Sequence, residues 1–130
     1  MLSNQVYYKK YIMNIEEFRN YCINKKAVTE SFPFDETTLV FKVMGKMFAL
    51  TDVEDEFKLN LKCDPEKAIS LREKYPDNVL PGYHMNKKHW NTVVVDGPIP
   101  DKLLYEWIDE SYDLIVLSLP KTKRQELKNE

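Results

Sequence analysis

The chain has 130 residues, 43% of them hydrophobic and 31% charged, with a formal net charge of −2. That length fits one domain able to bury a core without metal or disulfide staples, and no apolar run is long enough to span a membrane. A pI near 5.8 excludes a protein coated in positive charge, so affinity for nucleic acid would have to come from a local patch.

Taken from the start, Met1 to Ile12 (M-L-S-N-Q-V-Y-Y-K-K-Y-I) lacks the continuous apolar core and small-residue cleavage site of a secretory signal, and a cytoplasmic location is expected. Met13 stands directly before Asn14, a good N-cap, and Glu17 three residues on completes a capping box. Residues 1–12 are therefore read as an N-terminal extension and residues 13–130 as a single domain. From Asn14, Ile15, Phe18 and Cys22 recur at helical spacing with Tyr21 widening the stripe. Lys25 and Lys26 suit the negative end of that helix.

A loop through Phe32-Pro33-Phe34-Asp35 leads to two strands, Thr38–Met44 and Met47–Asp52, with Gly45-Lys46 expected as a type II′ hairpin turn. After the acidic loop Asp52–Glu56, a third strand runs from Phe57 to Cys63. It alternates Phe57, Leu59, Leu61 and Cys63 inward with Lys58, Asn60 and Lys62 outward. Asp64-Pro65 caps a second helix that places Ala68, Leu71 and Tyr75 on the core side and ends before Pro76. The β-branched run Thr92 to Val95 is a buried strand. Pro100-Asp101 then opens the strongest helix, whose apolar face is Leu104, Trp107, Ile108, Ser111 and Ile115. Pro120 breaks it before a short basic helix, Lys121 to Lys128. The order α-β-β-β-α-β-α-α predicts an α+β two-layer sandwich, an antiparallel sheet with its helices packed on one face.

Cys22 and Cys63 match no metal or C-x-x-C spacing, and each falls on an apolar face, as free thiols buried in a reducing compartment would. His84 and His89 are five apart, share no helical face and lack accompanying carboxylate ligands, so neither a metal site nor a cofactor is expected. No G-x-S-x-G, P-loop or dinucleotide fingerprint occurs.

The chemistry concentrates between Gly82 and Val95, G-Y-H-M-N-K-K-H-W-N-T-V-V-V, where polar residues abut a core strand. Lys87, Lys88, His84 and His89 supply donors, Asn86 donates or accepts, and a part-exposed Trp90 can stack on a ring. The competing reading is a capped turn whose His and Asn side chains satisfy backbone groups, with Trp90 in the core. Lys58, Asn60 and Lys62 form a second polar row, and with Lys42 beside it the sheet would present one cationic face. The last long helix, by contrast, carries five acids and one lysine between Asp101 and Ser118.

The stretch Y-H-M-N-K-K-H-W-N-T-V, the later Asp96-Gly97 and Ile108-Asp109-Glu110-Ser111-Tyr112 closely resemble the MmcQ/YjbR family of small bacterial proteins. The resemblance runs from Met13 to Leu127. It includes Glu30-Ser31-Phe32-Pro33-Phe34-Asp35, Leu61-Lys62 and Leu119 to Arg124. It implies an α+β fold similar to that of the bacterial frataxin homologue and a DNA-binding role. By position it carries over Lys62, His84, Asn86, Lys87, His89 and Trp90, while Lys88 occupies a variable slot. The frataxin likeness would also imply iron held by acids of the first helix, but Glu16 and Glu17 beside Arg19 are too few.

Two functional readings follow. The first is a non-enzymatic, monomeric DNA-binding domain, with phosphates at Lys62, Lys87 and Lys88 and bases or sugars at Asn86 and Trp90. The second is a module that uses the same residues to bind an anionic small molecule or a protein partner, favoured by a concave site rather than a flat basic one. A hydrolytic enzyme would need a nucleophile–base pair that the sequence does not offer.

Overall fold

The computed structural model describes residues 12–130; residues 1–11, most of the expected N-terminal extension, lie outside the described residues. Helix α1 (Ile15–Ile23) starts where the capping box demands. The Asn14 side chain accepts the Glu17 N–H at 2.8 Å, and the Glu17 carboxylate accepts the Asn14 N–H at 3.1 Å. Phe18 and Cys22 are buried on its inner face, and Met13, just ahead of it, is buried too.

Six antiparallel strands follow: β1 (Val28–Ser31), β2 (Thr38–Val43), β3 (Lys46–Asp52), β4 (Lys58–Lys62), β5 (Val79–Pro81) and β6 (Trp90–Val94), in spatial order β1-β2-β3-β4-β6-β5. Four of these match the expected strands. The short edge strands β1 and β5 do not, because three or four residues are too few for an alternation to show. Proline is tolerated in β5 because it lies on the sheet edge.

The β2–β3 turn also differs from expectation. Val43 pairs with Lys46, so the turn residues are Met44 and Gly45, both with positive φ (49° and 85°), as a type I′ turn requires. A bulge accompanies it: pairing jumps from Phe41–Ala49 to Lys42–Met47, leaving Phe48 as the extra residue.

The remaining helices are α2 (Pro65–Lys74), α3 (Asp101–Ser118) and α4 (Lys121–Lys128). Helix α3 buries Leu104, Trp107, Ile108, Ser111 and Ile115, the stripe its periodicity requires. These residues pack with Phe18, Leu39, Phe41, Val43, Leu59, Leu61 and Val93 in one core between the helices and a single face of the sheet. Ser111 has a specific task there. The β3–β4 ladder pairs only Ala49–Leu61 and Leu50–Asn60, so the bulge leaves two backbone groups needing partners. Ser111 Oγ supplies both, donating to the Phe48 carbonyl at 2.6 Å and accepting the Lys62 N–H at 2.8 Å.

Both thiols are free. Cys22 is buried as expected, whereas Cys63 is only half-buried because it follows the end of β4. Burial pushes the Cys22 thiol far above its ordinary range and the Cys63 thiol up to about 11.

Candidate functional site

The sheet face opposite the helices carries only a small apolar cluster, Val40, Leu50 and Trp90, flanked by Met47 and Met85. Met85 belongs to the turn joining β5 to β6, and that turn is tied down at many points. A Cβ on Gly82 would sit 2.8 Å from Trp90 Cβ and 3.0 Å from its carbonyl oxygen, so only glycine allows the close approach. The Gly82 N–H donates to the Trp90 carbonyl at 2.9 Å, and Lys87 Nζ reaches back to the Gly82 carbonyl at 2.9 Å. Asn86 Oδ1 accepts the Lys88 N–H at 2.9 Å. From α2, Arg72 donates Nε to Asn91 Oδ1 at 2.7 Å and Nη2 to the carbonyls of Lys87 and Trp90. His84 is held with φ at 57°, in the left-handed region.

This geometry sorts the residues singled out from the sequence. Trp90 is 8% exposed and sits under the turn, so it is not the part-exposed stacking surface expected. Register explains this, since Trp90 is the first residue of β6 and faces Lys62 across the ladder. Lys87 is exposed but directs its ammonium at Gly82, and Asn86 spends its carbonyl oxygen on Lys88. Lys58 lies within 3.7 Å of Asp55 and 3.4 Å of Glu56, two carboxylates that neutralise it. His89 is half-buried, and its carbonyl accepts the Cys63 N–H at 2.7 Å. His84 and Lys88 are exposed. Among the described residues Lys42, Lys62 and Lys88 have no carboxylate partner within ion-pair distance.

The single cationic face anticipated from the alternation is therefore corrected to a face of two ends. Lys42 on β2 and Lys62 on β4 stand about 10 Å apart, two strand spacings, at the end where the Gly82–Trp90 turn lies. At the other end Thr38 pairs with Asp52. There the acidic loop Asp52–Glu56 meets Asp35 and Glu36, joined by a 2.8 Å bond from the Val53 N–H to the Thr37 carbonyl. Period-two alternation puts Asp52 on the same side as Lys62, and the loops that close that end are acidic.

Between the ends lies a cleft of about 690 Å³. Its walls rise from opposite edges of the sheet: Phe34 and Asp35 from the β1–β2 loop, and Tyr83, His84, Met85 and Asn86 from the β5–β6 turn. Met47, Leu50, Asp52 and Asn60 form the floor, and among the described residues no lysine or arginine lines it. Phe34 and Tyr83 are 66% and 71% exposed, large apolar groups left at a concave surface. Asp35 accepts the Thr38 and Thr37 amides at 2.7 and 3.0 Å, which hold its carboxyl below the usual range. Phe34 and Tyr83 could have been noticed as aromatics inside turn segments beside Pro33 and Gly82. Arg72 gave no signal, since it reads as one more helix-surface cation.

Among the described residues no three His, Cys, Asp or Glu side chains gather so as to hold a metal ion, and no helix is long and apolar enough to cross a membrane.

A family model described as YjbR matches residues 23–114. The chain is 39% identical over 114 residues to the uncharacterized protein YjbR of Escherichia coli K12, covering 87% of this chain and 96% of that one. It is 38% identical over 98 residues to the uncharacterized protein YbdF of Escherichia coli O157:H7, covering 75% and 80%. The crystal structure of Deinococcus radiodurans protein DR2400, a DUF419 domain, superposes with a TM-score of 0.86 at 40% identity, over 92% of this chain and 91% of that one. A Pseudomonas syringae protein matches with a TM-score of 0.68 at 30% identity, over 78% and 98%.

Proposed function

The chain belongs to the YjbR family, and we propose that it is a non-enzymatic, monomeric DNA-binding domain that meets phosphates at the basic end of its open sheet face. The observation that carries this reading is the placement of Lys42 and Lys62, neither with a carboxylate partner among the described residues, at one end of the open face, with the exposed Lys88 in the turn at that same end. A lysine already paired with a carboxylate gains little from a phosphate. An unpaired one gains Coulomb energy and releases the strand's condensed counterions. Lys87 contributes less, because it must first leave the Gly82 carbonyl. Tyr83 and His84, whose rings lie 4.0 Å apart, belong to the same turn as Lys88 and offer a surface on which a base can stack.

The acids at the far end repel phosphate and confine the strand to the basic end. The same acids weaken the anionic-metabolite reading: the cleft is concave, as that reading asks, but Asp35 and Asp52 line it with no lysine or arginine among the described lining residues. Neither thiol suits nucleophilic attack, since burial keeps both protonated.

Fluorescence anisotropy with a labelled single strand tests the proposal. Three contacts predict a log–log salt slope of about −2, and each of Lys62→Glu and Lys88→Glu lowers affinity and flattens that slope. Salt-insensitive binding, or affinity unchanged in both variants, would refute it.

A further inference from the structure

The cleft holds three hydrogen-bonding groups that no other described residue engages. Thr92 orients the first. Its hydroxyl oxygen accepts the Tyr83 N–H at 3.0 Å, so its own proton points to Asn60 Oδ1, 2.6 Å away. That fixes the Asn60 amide with its oxygen toward Thr92 and leaves its NH2 without an assigned partner. Asn86 is fixed in the same way by the Lys88 N–H, which its Oδ1 accepts, leaving a second NH2. Asp52 accepts the Glu54 N–H on Oδ1 and keeps Oδ2. Asp35, by contrast, is occupied by the Thr37 and Thr38 amides and the Thr38 hydroxyl. The cleft thus combines two amide donors and one carboxylate acceptor with the exposed rings of Phe34 and Tyr83.

We infer that this cleft receives a single unpaired nucleobase bearing adjacent N–H donors and a carbonyl acceptor, guanine being the best match. The N1–H and N2–H of guanine lie side by side and can meet the Asp52 carboxylate together, one on the unused Oδ2 and the other on the second lone pair of Oδ1, which the Glu54 N–H leaves open, while O6 accepts from an amide NH2. Thymine has one N–H flanked by two carbonyls and would set a carbonyl against Asp52. The rings of Phe34 and Tyr83 supply apolar faces for the base, and such stacking is indifferent to base identity. Selection therefore falls to Asp52, Asn60 and Asn86. The cleft volume of about 690 Å³ lies within the range of small-molecule sites. A duplex keeps these base edges paired, so the base must come unpaired. Asp35 and Asp52 keep phosphate out of the cleft and leave it to Lys42, Lys62 and Lys88. For a base within a strand the inference rests on the DNA-binding reading; for the free nucleoside it does not.

The experiment uses the full chain, isotopically labelled, titrated with guanosine and thymidine and then with short oligothymidine strands carrying either guanine or thymine at the centre. Guanosine, but not thymidine, is expected to move the side-chain amide signals of Asn60 and Asn86. The central guanine should raise affinity at least about five-fold, the lower end of what a good bidentate base contact gives. Asp52→Asn should abolish that preference without weakening the all-thymine strand. Asp52 is exposed, so this variant should fold, which an unchanged amide spectrum outside the cleft would verify. Salt-sensitive binding of both strands with equal affinity, and no response to guanosine, would overturn the base site and leave the DNA reading intact. Guanosine binding in the cleft without strand binding would do the reverse. Silence from nucleosides and strands alike would remove both.

Discussion

The two faces of one sheet are finished in opposite ways. On the helix side, Leu39, Phe41, Val43, Leu59, Leu61 and Val93 meet residues of α1 and α3, and the buried polar side chains are hydrogen-bonded, Ser111 to two backbone groups and Asn91 to Arg72. On the other side three buried apolar residues, Val40, Leu50 and Trp90, sit under one tied turn, and much of the rest is charge, amide, the Thr92 hydroxyl and exposed ring. The same strands supply both sets by alternation, so the stability of the domain resides mainly in one face and its open chemistry in the other.

The largest expected effect separates the faces by truncation. Phe41→Ala should cost roughly 3–5 kcal/mol in chemical denaturation, because Phe41 is fully buried and meets Phe18 edge-on at 5.4 Å. Trp90→Ala should fall at or below the lower end of that range and leave the helix-side amide protection in place. Equal losses, or helix-side unfolding in the Trp90 variant, would break the distinction. Next comes Ser111→Ala, which strands the Phe48 carbonyl and the Lys62 N–H and should cost roughly 2–4 kcal/mol, at about 1–2 kcal/mol for each buried unsatisfied group. A loss below about 0.5 kcal/mol would mean that neither group needs the hydroxyl.

Arg72→Met keeps much of the side-chain volume but releases the carbonyls of Lys87 and Trp90 and the Asn91 amide. About 1–3 kcal/mol is expected, with faster hydrogen exchange confined to the Gly82–Trp90 turn. Uniform acceleration across the sheet would contradict a role limited to that turn. The smallest effect is a pH dependence. The Thr38 and Thr37 amides depress the Asp35 pKa in the folded protein, so their stabilisation is fully present above the unfolded value, about 3.9, and is lost as pH falls through the folded value. The Thr37 and Thr38 amide signals should move together with a midpoint below about 3.9. A midpoint at or above that value would show that these bonds do not favour the ionised carboxyl.

Much of the helix-side face was legible in the sequence. The capping box at Asn14, the stripe from Leu104 to Ile115 and the alternation of Leu59 and Leu61 are local patterns whose period reports burial directly. The open face was legible only in part. The Gly82–Trp90 segment was recognisable as chemically dense, yet which of its side chains point outward depends on other groups: Lys87 on Gly82, the turn's carbonyls at Lys87 and Trp90 on Arg72, Trp90 on its register with Lys62. Charge was misjudged for the same reason. Lys58, Asn60 and Lys62 read as one basic row, but the fold brings Asp55 and Glu56 to Lys58 and sets Asp35 near Asp52 across the cleft, and residues of separate loops carry no mark of that proximity.

We propose the open face, at its basic end and in the adjoining cleft, as the binding surface. The most direct test is an amide NMR titration of the full chain with a short guanine-containing single strand at low and at moderate salt. Salt-sensitive shifts are expected at Lys42, Asn60, Lys62 and Tyr83 to Lys88, and none along the acidic outer face of α3. Shifts centred on the helices, or no shifts at protein concentrations near a millimolar, would contradict it.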